Sequence, residues 1–156
     1  KKNSQLVIIR TSWLMGKTGN NFINTMLKLH KSMKEFTVIY DQVGAMTSTS
    51  DLAKVCWKII KNWHLLKNHH ICHWTCDGIT NWYDIAVEIG EAAKKFNLLE
   101  KSAKVIPISS KEYNTLAQRP YYSVLDCHST QKILNLKPKP WKLELNEIIS
   151  KIVELN

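Results

Sequence analysis

Apolar runs of strand length alternate with segments of helical period along this chain, and that alternation constrains its fold more than any other feature. Leu6 to Ile9 is an unbroken run rich in branched side chains, which suits a strand covered on both faces within a mostly parallel sheet. Gly16 to Asn21 supplies loop chemistry. Asn20 or Asn21 can then cap a helix whose positions Phe22, Ile23, Met26, Leu27 and His30 recur at helical spacing. Phe36 to Tyr40 forms the next short strand and closes on Asp41-Gln42-Val43-Gly44.

The pattern then repeats. Hydroxyls from Thr47 to Ser50 precede a helix carrying Leu52, Val55, Cys56, Ile59 and Ile60, which runs to about Asn62. His70 to Trp74 reads as a strand, Asp77-Gly78 as a turn, and Thr80 or Asn81 as the cap of a long helix with Trp82, Ile85, Ala86, Ile89 and Ala93. Val105 to Ile108 is a further strand. Pro107 inside it removes a ladder donor and so predicts an edge or a strand end. Pro120 to Leu125 reads as partly extended, Ser129 to Leu134 as a short helical turn, and Leu143 to Leu155 as a terminal amphipathic helix. Strands alternating with helices predict an α/β fold with parallel strands.

Composition narrows the functional classes. With 156 residues, 44% hydrophobic and 22% charged, the chain can bury one core. No apolar stretch approaches the roughly 20 residues of a membrane span, so a cytoplasmic protein with no membrane partner is expected. The net charge is +9, yet only Arg10 and Arg119 of the 22 basic residues are arginine, and no basic stripe is interleaved with aromatics. That pattern describes lysine-rich solvated helix faces and no nucleic-acid partner. Cys56, Cys72, Cys76 and Cys127 lack the dense spacing of a disulfide framework, and reduced thiols are expected.

Candidate chemical motifs mostly dissolve on inspection. Gly16-Lys17-Thr18 resembles the end of a phosphate loop, but Thr11 stands where its first glycine belongs. Nowhere do the five glycines form a dinucleotide-binding turn. His69, His70, Cys72, His73 and Cys76 carry zinc-ligand chemistry, but strand alternation sends His69 and His73 to one face and Cys72 and Cys76 to the other, so no metal site is expected. No serine sits in a Gly-x-Ser-x-Gly elbow.

Four stretches in register carry a family likeness. They are Ile8-Ile9-Arg10-Thr11-Ser12-Trp13-Leu14-x-Gly16 with Gly19-Asn20-Asn21-Phe22, and Asp41-Gln42-Val43-Gly44-x-x-Thr47 with Asp51-Leu52-Ala53. Further along come His73-Trp74-Thr75 with Trp82-Tyr83-Asp84-Ile85-Ala86, and Ala117-Gln118-Arg119-Pro120-x-Tyr122-Ser123-x-Leu125-Asp126 with Trp141. Together they resemble the dTDP-4-dehydrorhamnose reductases, sugar-nucleotide enzymes of the extended short-chain dehydrogenase/reductase family. Met15 stands where that family has an aromatic, Met46 where it has proline, and Gln118 where a basic residue is frequent.

The resemblance implies the C-terminal portion of an extended Rossmann-type reductase, with parallel-strand elements and a small helical and strand substrate lobe. On this reading residues 1–156 are the substrate side, and the cofactor-binding half lies before Lys1. The start at Lys1 is then a cut. The family's Tyr-x-x-x-Lys proton-donor pair is expected upstream as well, since none of Tyr40, Tyr83, Tyr113, Tyr121 or Tyr122 has lysine four residues later. No catalytic residue is therefore assigned to this chain.

By resemblance the intact protein reduces dTDP-4-dehydro-L-rhamnose to dTDP-L-rhamnose with NADPH or NADH, and divalent magnesium and a homodimeric partner are both compatible with that family. Trp13, Asn21, Gln42 and Arg119 are the implied substrate-binding residues. Trp13 offers an indole face to the deoxysugar, and Arg119 offers a bidentate fork to the diphosphate. Asn21 and Gln42 carry amides for the nucleotide. Two other classes share the fold: a non-catalytic regulatory subunit, like the partner of methionine adenosyltransferase, and a related sugar-nucleotide reductase or epimerase.

Overall fold

The computed structural model describes residues 6–66, 71–115 and 117–154. Its parallel ladders are short and pair strands distant in sequence. β1 (Ile8–Arg10) pairs parallel with β6 (Ile71–His73), β2 (Leu14–Met15) with β5 (Thr47–Ser48), and β3 (Glu35–Ile39) with β8 (Lys104–Ile108). One pair is antiparallel, β4 (Val43–Gly44) with β7 (Thr80–Asn81). Helices α1 (Phe22–Ser32), α2 (Thr49–Lys61), α3 (Trp82–Lys95), α4 (His128–Leu134) and α5 (Trp141–Val153) separate them, with one 3-10 turn at Trp63–Leu66.

The helix starts follow from local chemistry. Asn21 Oδ1 accepts from the backbone amides of Ile23 and Asn24, and the Ser48 hydroxyl accepts from Asp51 N. Asn81 Oδ1 accepts from Asp84 N at 2.8 Å while its amide donates to the Asp84 carboxylate, so cap and third residue satisfy each other. α3 ends at Phe96, and Asn97 follows with a φ of 59°, the left-handed conformation that asparagine tolerates better than most residues.

Two apolar clusters hold these elements. The larger unites Ile23 and Met26 of α1, Ile85 and Ile89 of α3, and Leu145 and Ile149 of α5 beneath Phe36 and Val38 of β3. Each such side chain contributes roughly 1.5–3 kcal/mol when buried. His30, on the apolar face of α1, joins this region by placing Nε2 3.0 Å from the Ala86 carbonyl and its ring edge-on to Phe36. The smaller cluster gathers Val55 and Ile59 of α2 with Leu66, Cys72, Trp74 and Leu134. Trp74 is fully buried, and its indole N–H donates to the Asp51 carboxylate at 2.7 Å, which removes the cost of burying an unpaired donor.

Pro107 sits within β8 opposite Val38. Lys104 N bonds to Lys34 O and Tyr40 N to Ile108 O, and the twofold period of the strand then directs the Pro107 nitrogen away from β3. The proline costs no hydrogen bond there, as an edge position predicts.

The run Leu6 to Ile9 departs from its expected surroundings. Val7 and Ile9 pack on the smaller cluster, but Leu6 is 62% exposed, Ile8 45% and the neighbouring Ile71 49%. Only one face of this strand pair is covered by the described residues. The terminal helix starts at Trp141 rather than Leu143, because Pro140 sets the entry and Trp141 N donates to Asp77 O; it runs to Val153, and Leu155 lies outside the described residues. His69 and His70 lie outside the described residues. Cys72 and Cys76 fall in different clusters, and all four cysteines are free thiols. No helix among the described residues is long and apolar enough to cross a membrane.

Two outcomes follow from this packing. An edge strand with exposed branched side chains should make the isolated 156-residue chain self-associate, and Ile8→Lys should shift it toward monomer in light scattering; a monomeric parent chain with strongly protected amides from Ile8 to Arg10 would contradict this. Burial, opposed by weaker hydrogen bonding and reinforced by the nearby Glu144 and Asp51 charges, pushes the Cys76 thiol from 9.0 up to about 12. The folded state then holds this proton more tightly than the unfolded chain, so stability should fall as pH rises from 9 toward 12. Cys76→Ser should flatten that limb of the denaturation profile.

Candidate functional site

The chain after β1 must leave the parallel pair and still hold position beside β5. Thr11 achieves the first part: its hydroxyl donates to the Trp74 carbonyl at 2.9 Å and lies 2.7 Å from the Thr47 hydroxyl. Ser12 donates to the Ala45 carbonyl at 2.7 Å, and Thr47 N donates back to Trp13 O at 3.1 Å. Trp13 is thereby fixed in the left-handed region with a φ of 45°. For a bulky residue that conformation costs on the order of 1–3 kcal/mol and persists only where its surroundings enforce it.

Those surroundings are aromatic. The Trp13 indole stacks on Trp82, the first residue of α3, with centroids 4.2 Å apart and planes at 28°. Phe22, the first residue of α1, covers Trp82 at 4.7 Å. Along the Trp13 edge lies Gly44, where a Cβ would sit 2.6 Å from Trp13 Cζ2 and 2.8 Å from Ser123 Oγ. Glycine is required there for close approach.

Trp13 forms one wall of a cleft of about 770 Å³, a size suited to a small organic ligand. α1 contributes Phe22, Thr25, Met26 and Leu29, β3 contributes Thr37 to Ile39, and the 113–123 segment contributes Tyr113, Thr115, Arg119 and Ser123. The cleft thus opens beyond the carboxyl end of β1, where ligands of open α/β sheets bind.

Gln42 lines the same cleft and is 8% exposed, yet no described residue hydrogen-bonds its side-chain amide. Arg119 reaches the cleft from the opposite segment, is exposed, and has no ion pair with any described carboxylate. That segment is tied down on both sides. Val43 N donates to Tyr121 O and Ser123 N to Val43 O, while the Asp41 carboxylate accepts from Ser110 N and Oγ.

Of the four residues implied by the sequence, the fold brings Trp13, Gln42 and Arg119 to one cavity. Asn21 stands outside its lining. Its carbonyl oxygen caps α1 and its amide donates to Gly16 O at 2.9 Å and Thr18 O at 3.1 Å, so the side chain is consumed by loop closure. Trp82, Phe22 and Ser123 belong to the site although the sequence marks them only as helix or signature positions; the clue is their place beside motif residues at element ends. Met15 lines the cleft from a buried position, whereas Met46 is fully buried in the larger core cluster.

The cleft can be set beside known proteins. Residues 1–154 match the family model of the RmlD substrate binding domain. The chain belongs to this family. An RmlD-family relative, the dTDP-4-dehydrorhamnose reductase of Aggregatibacter actinomycetemcomitans, is 35% identical over 144 residues, covering 91% of this chain and 49% of the relative. The spore coat polysaccharide biosynthesis protein SpsK of Bacillus subtilis is also 35% identical, over 91% of this chain and 46% of its own length.

Among solved structures, a dTDP-4-dehydrorhamnose reductase of Clostridium acetobutylicum superposes with a TM-score of 0.80 at 40% identity, over 94% of this chain and 49% of that one. The enzyme of Bacillus anthracis, solved in complex with NADP, gives 0.78 at 30% identity, over 95% of this chain and 49% of that one. The RmlD-family chain therefore spans about half the length of the curated relatives it matches. Its α/β fold with parallel strands corresponds to half of a Rossmann-type reductase of that kind.

The chain has no glycine-rich dinucleotide turn, and no three His, Cys, Asp or Glu side chains converge among the described residues as a metal would need. If Asn21 serves the loop and not a ligand, Asn21→Ala should lower unfolding stability by about 1 kcal/mol, the usual worth of an N-cap. Chemical denaturation with and without dTDP would check it: the same loss should be seen in both, with an unchanged dissociation constant.

Proposed function

We propose that these residues form the C-terminal, substrate-side half of an NAD(P)H-dependent sugar-nucleotide reductase that converts dTDP-4-dehydro-L-rhamnose to dTDP-L-rhamnose. The observation that carries the reading is the convergence of a fixed indole, a cleft-lining amide and a guanidinium without an ion pair to any described carboxylate on one cleft of an RmlD-family chain. Relatives bearing the reductase name support the reaction class.

The three groups suit the parts of such a substrate. An indole face packs on the apolar side of a deoxysugar ring. The Arg119 fork matches the paired oxygens of a diphosphate and, being free of any described carboxylate, need not break an ion pair to bind them. Gln42 offers both a donor and an acceptor to sugar or nucleotide hydroxyls. NADPH or NADH, when bound, supplies the hydride for the C4 ketone. This chain's residues hold that carbon in place and exclude water around it. The proton for the resulting alkoxide comes from an acid outside this chain, since no tyrosine here has the paired lysine.

The full-length protein should oxidise NADPH in the presence of dTDP-4-dehydro-L-rhamnose, and the 156-residue chain alone should not. Trp13→Ala should raise the KM for the sugar nucleotide about tenfold or more while leaving that for NADPH unchanged, as loss of one aromatic contact would. Arg119→Lys should raise it severalfold through loss of the bidentate pair. Turnover of a UDP- or GDP-linked keto-sugar in preference would replace the substrate assignment, and no turnover of any keto-sugar would favour a regulatory role.

A further inference from the structure

A bulky residue in the left-handed region needs an external restraint, and Trp13 has two that act on its ring. Trp82 stacks on it at 4.2 Å, and the bare backbone of Gly44 admits its edge where a Cβ would come within 2.6 Å of the ring. Trp82 is itself pinned: it opens α3 directly after the Asn81 cap and has Phe22 tilted against its ring at 4.7 Å. The ladder Phe22–Trp82–Trp13 therefore links the starts of α1 and α3 to the turn after β1. It leaves the Trp13 ring standing at the wall of the cleft.

We propose that Trp82 is a positioning residue for ligand binding: it holds the Trp13 indole in its left-handed setting, so that the ring is preorganised before a sugar nucleotide enters. This rests on the reading of the cleft as a sugar-nucleotide site. Preorganisation matters because a ring free to rotate out of the cleft would have to be ordered again at each binding event, and that cost is taken from the affinity. Trp82 also lines the cleft, but its ring is already engaged by both Trp13 and Phe22. Its effect on a ligand thus passes through Trp13. Gly44 has the complementary role of leaving space on the Trp13 edge.

The test uses full-length protein labelled with 5-fluorotryptophan, with the Trp13 resonance identified by Trp13→Phe. In the wild type, that resonance should be single and shifted by ring stacking. Trp82→Ala should move or broaden it, Trp82→Phe should largely retain it, and Gly44→Ala should displace it. Calorimetric titration with dTDP-L-rhamnose should show affinity about tenfold weaker for Trp82→Ala, the size of one aromatic stack, and near wild type for Trp82→Phe. NADPH affinity should stay constant in all three variants. A Trp13 resonance unmoved by Trp82→Ala would overturn the positioning role, as would a moved resonance with unchanged affinity. Failure of the wild-type protein to bind dTDP-L-rhamnose, with the resonance still responding to Trp82, would instead overturn the identity of the ligand.

Discussion

The turn from Thr11 to Trp13 is the junction on which the cleft depends. Its four hydrogen bonds, with Trp74, Ala45 and Thr47, tie the exit of one parallel pair to the strand of another. Because Thr11 and Ser12 donate through short hydroxyls, the turn cannot relax without losing these bonds to the scaffold. The strain at Trp13 is thereby spread over groups that belong to the scaffold. Packing then finishes what the hydroxyls begin, since Trp74, whose carbonyl accepts from Thr11, is itself buried and bonded to Asp51 of α2.

The segment bearing Arg119 is held by a different logic. It has little apolar anchoring, and many of its residues are exposed. Backbone pairing with Val43 and the Asp41 carboxylate fix its position instead. Polar ties of this sort place a charged group beside a cleft without burying it, and so avoid the desolvation cost that a buried guanidinium would incur. One part of the cleft is thus rigid and aromatic, and the segment bearing Arg119 is exposed and held by polar ties.

Much of this was readable from residue order. Long periodic stretches such as Ile85 to Ala93 marked their helix because the apolar period exceeds local noise, and Asn81 and Asn21 marked helix starts through cap chemistry. The two-residue strands β2, β4, β5 and β7 left no such trace: two residues cannot display a period, and these pairings are decided by long-range partners. The same limit applied to the site. Residue type pointed to Trp13 and Arg119 as ligand groups, but only the fold tells that Trp82 stacks on Trp13. Nor could sequence alone decide that Asn21 would spend both ends of its amide on its own loop.

Pro107 gives the strand pairs a direction. On β8 the outward edge offers a ring carbon where an incoming strand would seek a donor, so that side cannot extend a ladder in register. β1 carries no such block, and its neighbours Leu6, Ile8 and Ile71 present branched apolar side chains beside it. Of these two strand pairs, one thus has an edge interrupted by covalent structure, and the other an edge whose donors are still available to an incoming strand.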